Sequence, residues 1–350
     1  MRWMKFCAMA PWNARQVSLR YIGLIIAFAL DVFILISIFV FVAHTSAQEP
    51  TLRSQSNIVL VPALVKDSQG GLVYGLEAKN FVIEDEGVEQ AVHLDEIPEG
   101  QPVSLVIAIQ TGRRAGYEFQ RMKGLAAMLD PLFEAGTARV AIVEFGSLVK
   151  LRRSFTTDEG LIDDDLSNLQ PGDNKAAILD AINYSIDLLR KEAEGRERVL
   201  LLVSETRDHG SAHKVPETVA AIGQSNAVMY ALSFSPGISN ILDTGRGNNI
   251  GEMHKGINFL DLGYRSAQAL RKNVPSAVVA MTGGEYELFA SGKRFDMSMT
   301  SFTNHLHSRY WLSFAPKDPH PGLHQIRVRL KDSNGNTVLA RTSYWAEGGK

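Results

Sequence analysis

The run Val103-Ser104-Leu105-Val106-Ile107-Ala108-Ile109 constrains the fold more than any other part of the chain. It is almost continuously apolar, as a strand must be when both faces of its sheet are covered. A half-exposed antiparallel strand would instead alternate apolar and polar residues. Arg139 to Phe145, Val199 to Val203 and Ala227 to Leu232 repeat the pattern, and Leu148 to Arg153 is placed to pair beside the first of these. The stretches between them have helical character. Tyr117 to about Phe133 predicts one helix and Val215 to Gln224 another. Ala176 to Glu194 is amphipathic, with Ile178, Ile182, Ile186 and Leu189 three or four residues apart. Ser239 to Gly263 is rich in Gly and Asn and predicts a long surface loop. Beyond it come a helix over Tyr264 to Met281, a short strand over Tyr286 to Phe289 and a helix over Asp296 to Ser308. Strands alternating with helices specify an α/β class, an open doubly wound sheet with helices on both faces.

Both flanks of this region read as β. Ile58 to Val61, Phe81 to Ile83 and Val92 to Leu94 are short strands separated by turns at Asp67–Gly71 and Glu86-Gly87. Near the other end, Gln325 to Lys331 alternates strictly. Asp332 to Asn336 predicts a hairpin turn, with Thr337 to Ala340 as the return strand. An isolated hairpin is marginal in water, so the two flanks are expected to form one small β-sandwich with the α/β region inserted between them. The expected division is residues 58–98 for the first β part, 102–308 for the α/β domain and 309–346 for the second β part.

A third feature sets the compartment. Tyr21 to Ala43 is an apolar run of 23 residues, about 35 Å as a helix and enough to cross a ~30 Å hydrocarbon core. Asp31 at its centre costs about 2.5–3.5 kcal/mol, but sixteen Leu, Ile, Val and Phe residues return roughly 5 to 10 kcal/mol, so insertion wins. Arg2, Lys5, Arg15 and Arg20 precede the run. This predicts a cytoplasmic basic segment at 1–20, a signal-anchor or signal peptide at 21–43, a polar linker at 48–57 and an exported body. That body is periplasmic on a single inner-membrane pass, or secreted if cleavage follows Ala47. With the formal net charge at −2 and residues 1–47 at +3, residues 48–350 carry −5, a balance that argues against nucleic acid as a partner. The one cysteine, Cys7, precedes the apolar run. The body therefore has no disulfide, thiol nucleophile or Cys-ligated zinc.

The segments "VKDSQGGLVYGLEAKNFVIEDEGVEQ" and "SRYWLSFAPKDPHPGLHQIRVRLKDSNGNTVLARTSYWA" resemble the ends of the von Willebrand factor A-related family of exported bacterial proteins. The order Val103–Gln110, Gly172–Ile182, Arg198–Asp208 and Ala227–Ser233 is similar to a von Willebrand factor A domain. The resemblance implies a metal-ion-dependent adhesion site at the C-terminal edge of the sheet. That site is made by Asp-x-Ser-x-Ser after the first strand, a Thr in a following loop and an Asp after a later strand, and its Mg²⁺ also binds a partner carboxylate. In this sequence the first Asp falls on Gln110, the serines on Gly112 and Arg114, the Thr on Ala176 and the last Asp on Glu205. Thr111 is one register step away and offers a lone hydroxyl. Mg²⁺ wants about six oxygen ligands, so this set predicts a degenerate site with no metal and no other cofactor.

Two residue sets could still act. Arg113 and Arg114 follow the first buried strand, where an open α/β sheet binds ligands. They could grip a partner carboxylate as a planar fork, stay solvated, or pair internally with Glu205 or Asp208. Glu205, Asp208, His209 and His213 share the loop after Val203 and are donors that zinc accepts. Other signals are weaker. Asp243-Thr244-Gly245 has no second copy to form an aspartyl dyad, and His320 and His324 are expected in a solvated, Pro-rich turn. Three functions follow. The first is a non-enzymatic, membrane-tethered interaction module without catalytic residues. The second is a metal-dependent adhesion protein with an altered site at Glu205 and Asp208. The third is a zinc hydrolase using Asp208, His209 and His213.

Overall fold

The computed structural model describes residues 58–95, 101–122, 124–134, 136, 138–234, 268–317 and 320–346. The apolar run at 21–43, Cys7, the expected loop at 239–263 and Asp243–Gly245 lie outside the described residues. Among the described residues no helix is long and apolar enough to cross a membrane.

Four strands come first: β1 (Val59–Lys66), β2 (Phe81–Asp85), β3 (Val88–Gln90) and β4 (His93–Asp95). The next six build the central sheet: β5 (Val103–Gln110), β6 (Ala138–Phe145), β7 (Val149–Thr156), β8 (Glu197–Ser204), β9 (Val228–Phe234) and β10 (Tyr286–Phe289). Their order across the sheet is β10-β9-β8-β5-β6-β7, parallel except for β7 at the edge. Every residue of β5 is buried, as its unbroken apolar run requires.

Helices cover both faces. They are α1 (Asp130–Glu134), α2 (Glu159–Ser167), α3 (Ile178–Arg190), α4 (Val215–Gln224), α5 (Val274–Thr282) and α6 (Gly292–Leu306). One face packs α3, α4 and α5 against Val106, Ala108, Leu200 and Leu202, and the other packs α6 against Leu105, Ile107, Leu201 and Val203. Ile178, Ile182, Ile186 and Leu189 of α3 are all buried, each contributing about 1.5–3 kcal/mol.

The single helix expected over Tyr117–Phe133 does not form. Three 3₁₀ turns at Ala115–Tyr117, Phe119–Met122 and Ala127–Leu129 lead into the short α1. Gly124 adopts a left-handed φ of 84° and Pro131 cannot donate within a helix, so the chain is interrupted twice. The apolar spacing still buries Met122, Leu125, Leu129 and Leu132. The helix expected to run to Met281 is also divided. Asn273 accepts from the Ser276 amide at 3.1 Å and starts α5 afresh ahead of Pro275.

The flanks form two four-stranded sheets with β11 (Tyr310–Phe314), β12 (Gly322–Leu330), β13 (Thr337–Ala340) and β14 (Ser343–Ala346). The orders are β13-β1-β11-β4 and β14-β12-β2-β3. Val61, Phe81, Ile83, Leu312, Phe314, Ile326 and Tyr344 close one shared core between them. β12 pairs with β2 from Ile326 opposite Asp85 to Leu330 opposite Phe81. The hairpin expected from Asp332–Asn336 is overturned. β13 crosses to the other sheet and pairs with β1, while β14 becomes the neighbour of β12. Leu330 and Ala340 both enter the shared core, and a flat hairpin would leave that core with one sheet.

Candidate functional site

β5 and β8 are parallel neighbours, with Ile109 opposite Val203, so the chain leaves both strands at one edge of the sheet. Three side chains meet there. Gln110 accepts the Glu205 amide at 2.9 Å on its Oε1, and its Nε2 donates to Glu205 Oε1 at 3.0 Å and to the Gly112 carbonyl at 3.1 Å. Arg113 Nε lies 2.6 Å from the same Glu205 oxygen. Gln110 and Glu205 are buried, while the Arg113 side chain is 35% exposed. Arg113 has a φ of 56°, a left-handed conformation that costs a residue with a Cβ about 1–2 kcal/mol. Its amide donates to the Asp173 carbonyl at 2.5 Å. Arg114 is exposed and has no ion-pair partner among the described residues.

The loops are pressed together around this trio. A Cβ on Gly112 would sit 1.9 Å from the Lys175 carbonyl and 2.8 Å from the Gly146 Cα, so only glycine fits. The Thr111 hydroxyl donates to the Phe145 carbonyl at 3.3 Å. Asp173, which the motif comparison did not single out, accepts from the Ser147 hydroxyl, the Ser147 amide at 2.9 Å and the Lys175 amide at 3.0 Å. The Ser147 hydroxyl bond, then the Lys175 amide, hold its carboxyl below the ordinary aspartate value. Its signal in the sequence was a short Pro171-Gly172-Asp173 turn ahead of a strong helix.

The loop after β8 is laced to the start of α3. Ala177 offers no side-chain cap, and Asp208 replaces it, accepting from the Leu179 amide at 3.1 Å and the Ser211 hydroxyl at 2.5 Å. Asp180 returns the contact, accepting from the Ala212 and His213 amides at 2.9 and 2.8 Å. Partial burial works against the Asp180 charge, but the His213 and Ala212 amides prevail and hold its carboxyl below the ordinary value. Ala176 and His209 exchange backbone hydrogen bonds at 3.0 and 2.8 Å. The edge therefore brings Gln110, Gly112, Arg113, Ala176 and Glu205 together. It does not assemble a cation site from Asp208, His209 and His213: Asp208 is a helix cap, and His213 Nδ1 is 2.7 Å from Asp180.

The von Willebrand factor type A domain family matches residues 109–207, which end the first central strand and carry the chain through β8 to this loop. This region is von Willebrand factor A-related. Among solved structures the chain is similar to the PilB minor pilin from Streptococcus sanguinis, at 11% identity and a TM-score of 0.41, over 62% of this chain and 64% of the pilin. It thus spans just under two thirds of that protein. It is also similar to a conserved hypothetical protein BatB from Bacteroides thetaiotaomicron, at 14% identity and a TM-score of 0.39, over 58% of this chain and 98% of the other. A third similar structure is the vWF domain of the type V pili tip protein Mfa5 from Porphyromonas gingivalis, at 16% identity and a TM-score of 0.27, over 31% and 38% of the two chains. No curated protein sequence matches the chain.

The von Willebrand factor A fold implies Mg²⁺ at this edge, and the residues present do not suit it. Both polar atoms of the Gln110 amide have partners, Ala176 has no side-chain oxygen, and Glu205 Oε1 already takes two donors. A guanidinium 2.6 Å from the nearest carboxylate oxygen occupies the ground a divalent cation would need. Arg114, Lys175 and Arg207 on these loops are exposed, as is the Asp173 carboxylate, whose charge Lys175 partly offsets, so the rim carries more positive than negative groups.

Proposed function

We propose that this chain is a non-enzymatic interaction module that binds a protein partner through the C-terminal edge of its von Willebrand factor A-like sheet, without a metal. The observation that carries the reading is the Arg113–Glu205 pair at 2.6 Å, which puts a fixed positive group among the positions where the family holds its cation. Arg114, exposed beside it, is the group that meets a carboxylate from the partner. The apolar run at 21–43 and the basic residues before it support a body exported and tethered to the inner membrane, with the division 58–98, 102–308 and 309–346. The capping role of Asp208 argues against an altered metal site shared with Glu205.

Thermal unfolding in millimolar Mg²⁺ and in chelator tests the metal-free reading. Ligand bound at a hundredfold excess over Kd stabilises by about 2.7 kcal/mol, an easily read shift. The expected result is identical melting curves. A Mg²⁺-dependent rise abolished by Glu205→Ala overturns the reading. A glutamate-rich peptide serves as the carboxylate probe, and Arg114→Ala is expected to weaken its binding by a factor of about ten, more than a fully solvated ion pair contributes.

A further inference from the structure

His320 and His324 read as a solvated turn, yet the structure buries His324 to 1% exposure, at the start of β12 opposite Tyr344. Glu86 reaches the same place from the turn after β2. It has a left-handed φ of 49°, and its amide donates to the Gln325 carbonyl at 2.9 Å. His320 Nε2 is 3.2 Å from Glu86 Oε2, and the rings of His320 and His324 stack with centroids 4.0 Å apart. One ligand atom from each of Glu86, His320 and His324 lies within 4.8 Å of the others, the one such grouping of three among the described residues.

An independent arrangement stands behind His324. Its Nδ1 is 3.3 Å from Asp85 Oδ1, and the Tyr344 hydroxyl donates to Asp85 Oδ2 at 2.9 Å. Asp85 and Tyr344 are themselves buried. A carboxylate held in place behind an imidazole fixes its tautomer and orientation, as the supporting groups of metal-bound histidines do. With Nδ1 turned toward Asp85, Nε2 is the ring nitrogen left to reach an ion. That atom faces the His320 carbonyl oxygen at 2.6 Å.

We propose that Glu86, His320 and His324 form a zinc site that staples the turn after β2 to the loop before β12, with Asp85 and Tyr344 orienting His324. Two imidazoles and one carboxylate match zinc, whereas Mg²⁺ prefers oxygen throughout. Tetrahedral ligands at about 2.0–2.1 Å from zinc are about 3.3 Å apart, close to the separation of His320 Nε2 and Glu86 Oε2. Closing the third ligand needs the His320 loop to shift its carbonyl off His324 and the stacked rings to part, so that both lone pairs converge on one ion. Three protein ligands leave the fourth position to water.

The test uses the full chain in detergent, stripped with chelator and titrated first with Zn²⁺ alone and then with Co²⁺ alone. The expected results are one equivalent of zinc, a melting temperature raised by several degrees, and four-coordinate cobalt absorption in the visible. Glu86→Gln and His320→Ala alter exposed side chains and are expected to melt like the parent without metal, while losing zinc affinity at least tenfold. Arg113→Ala is expected to leave zinc binding unchanged, which separates this site from the sheet edge. Failure to bind a stoichiometric zinc overturns the proposal. Zinc binding that survives both Glu86→Gln and His320→Ala overturns it equally.

Discussion

Strand β8 carries a buried glutamate at each end, and the two are treated differently. Glu205, just past its C-terminal end, is 9% exposed and is met by the Gln110 amide and the Arg113 guanidinium. Glu197, its first residue, is 4% exposed, and its Oε1 has no hydrogen-bond partner among the described residues. The charge of Arg309 acts on Glu197, but that guanidinium donates to the Tyr230 hydroxyl at 2.9 Å and to the Gly283 carbonyl at 2.6 Å. Burial, only partly offset by Arg309, pushes the Glu197 carboxyl up to about 7. The same residue type at similar burial is thus an ion-pair member at one end and a proton holder at the other. What separates them is the reach of one left-handed arginine, not the depth of the site.

The sharpest way to break the Glu205 end is through its backbone. Gly112→Ala forces a Cβ against the Lys175 carbonyl, and urea unfolding is expected to show a loss of at least ~4 kcal/mol. Next is the pH profile of the Glu197 end. Between pH 4.5 and about 7 the folded chain holds the Glu197 proton while the unfolded chain releases it. Stability from this group is therefore complete below pH 4.5, falls as pH rises through that window by on the order of 3 kcal/mol, and is flat above it. Glu197→Gln is expected to remove the slope, and a slope that persists in that variant assigns it elsewhere. Glu205→Ala comes third. It strands the Gln110 amide and a partly exposed Arg113, at a cost of about 2 kcal/mol, below the loss for a fully buried pair. Smallest is Arg114→Ala, whose exposed side chain makes no hydrogen bond or ion pair among the described residues. Its unfolding free energy is expected within about 0.5 kcal/mol of the parent, while its peptide binding falls.

These two ends were unequally legible in the sequence. Unbroken apolar strands and the 3.6-residue spacing of Ile178, Ile182 and Ile186 report burial directly, so the central sheet and α3 were readable. The order of elements brought Gln110, Ala176 and Glu205 to one edge for the same reason. Arg113 was one of several partners open to Glu205, because the choice rests on a left-handed backbone and on Asp173 sixty residues away. Glu197 gave no signal, since its burial comes from the packing of distant elements. His324 was misread because Pro319 and Pro321 suggested a wet turn, while cover comes from Tyr344 and Asp85 on other strands. The Thr337–Ala340 strand was misplaced because a Ser-Asn-Gly turn fixes a reversal of direction but not which sheet receives the return.

The split sandwich also sets a timetable for synthesis. Val59 pairs with Phe314, and Phe81 with Leu330, about 250 residues further along the chain. At roughly 5–20 residues per second, β1 and β2 leave the ribosome tens of seconds before their partners exist. Throughout that interval two apolar strands present unpaired edges, while the central sheet, whose strands are nearer in sequence, can already close. β1 and β2 are thus completed late, and the nascent chain is most open to mispairing at these two strands until β11 and β12 appear.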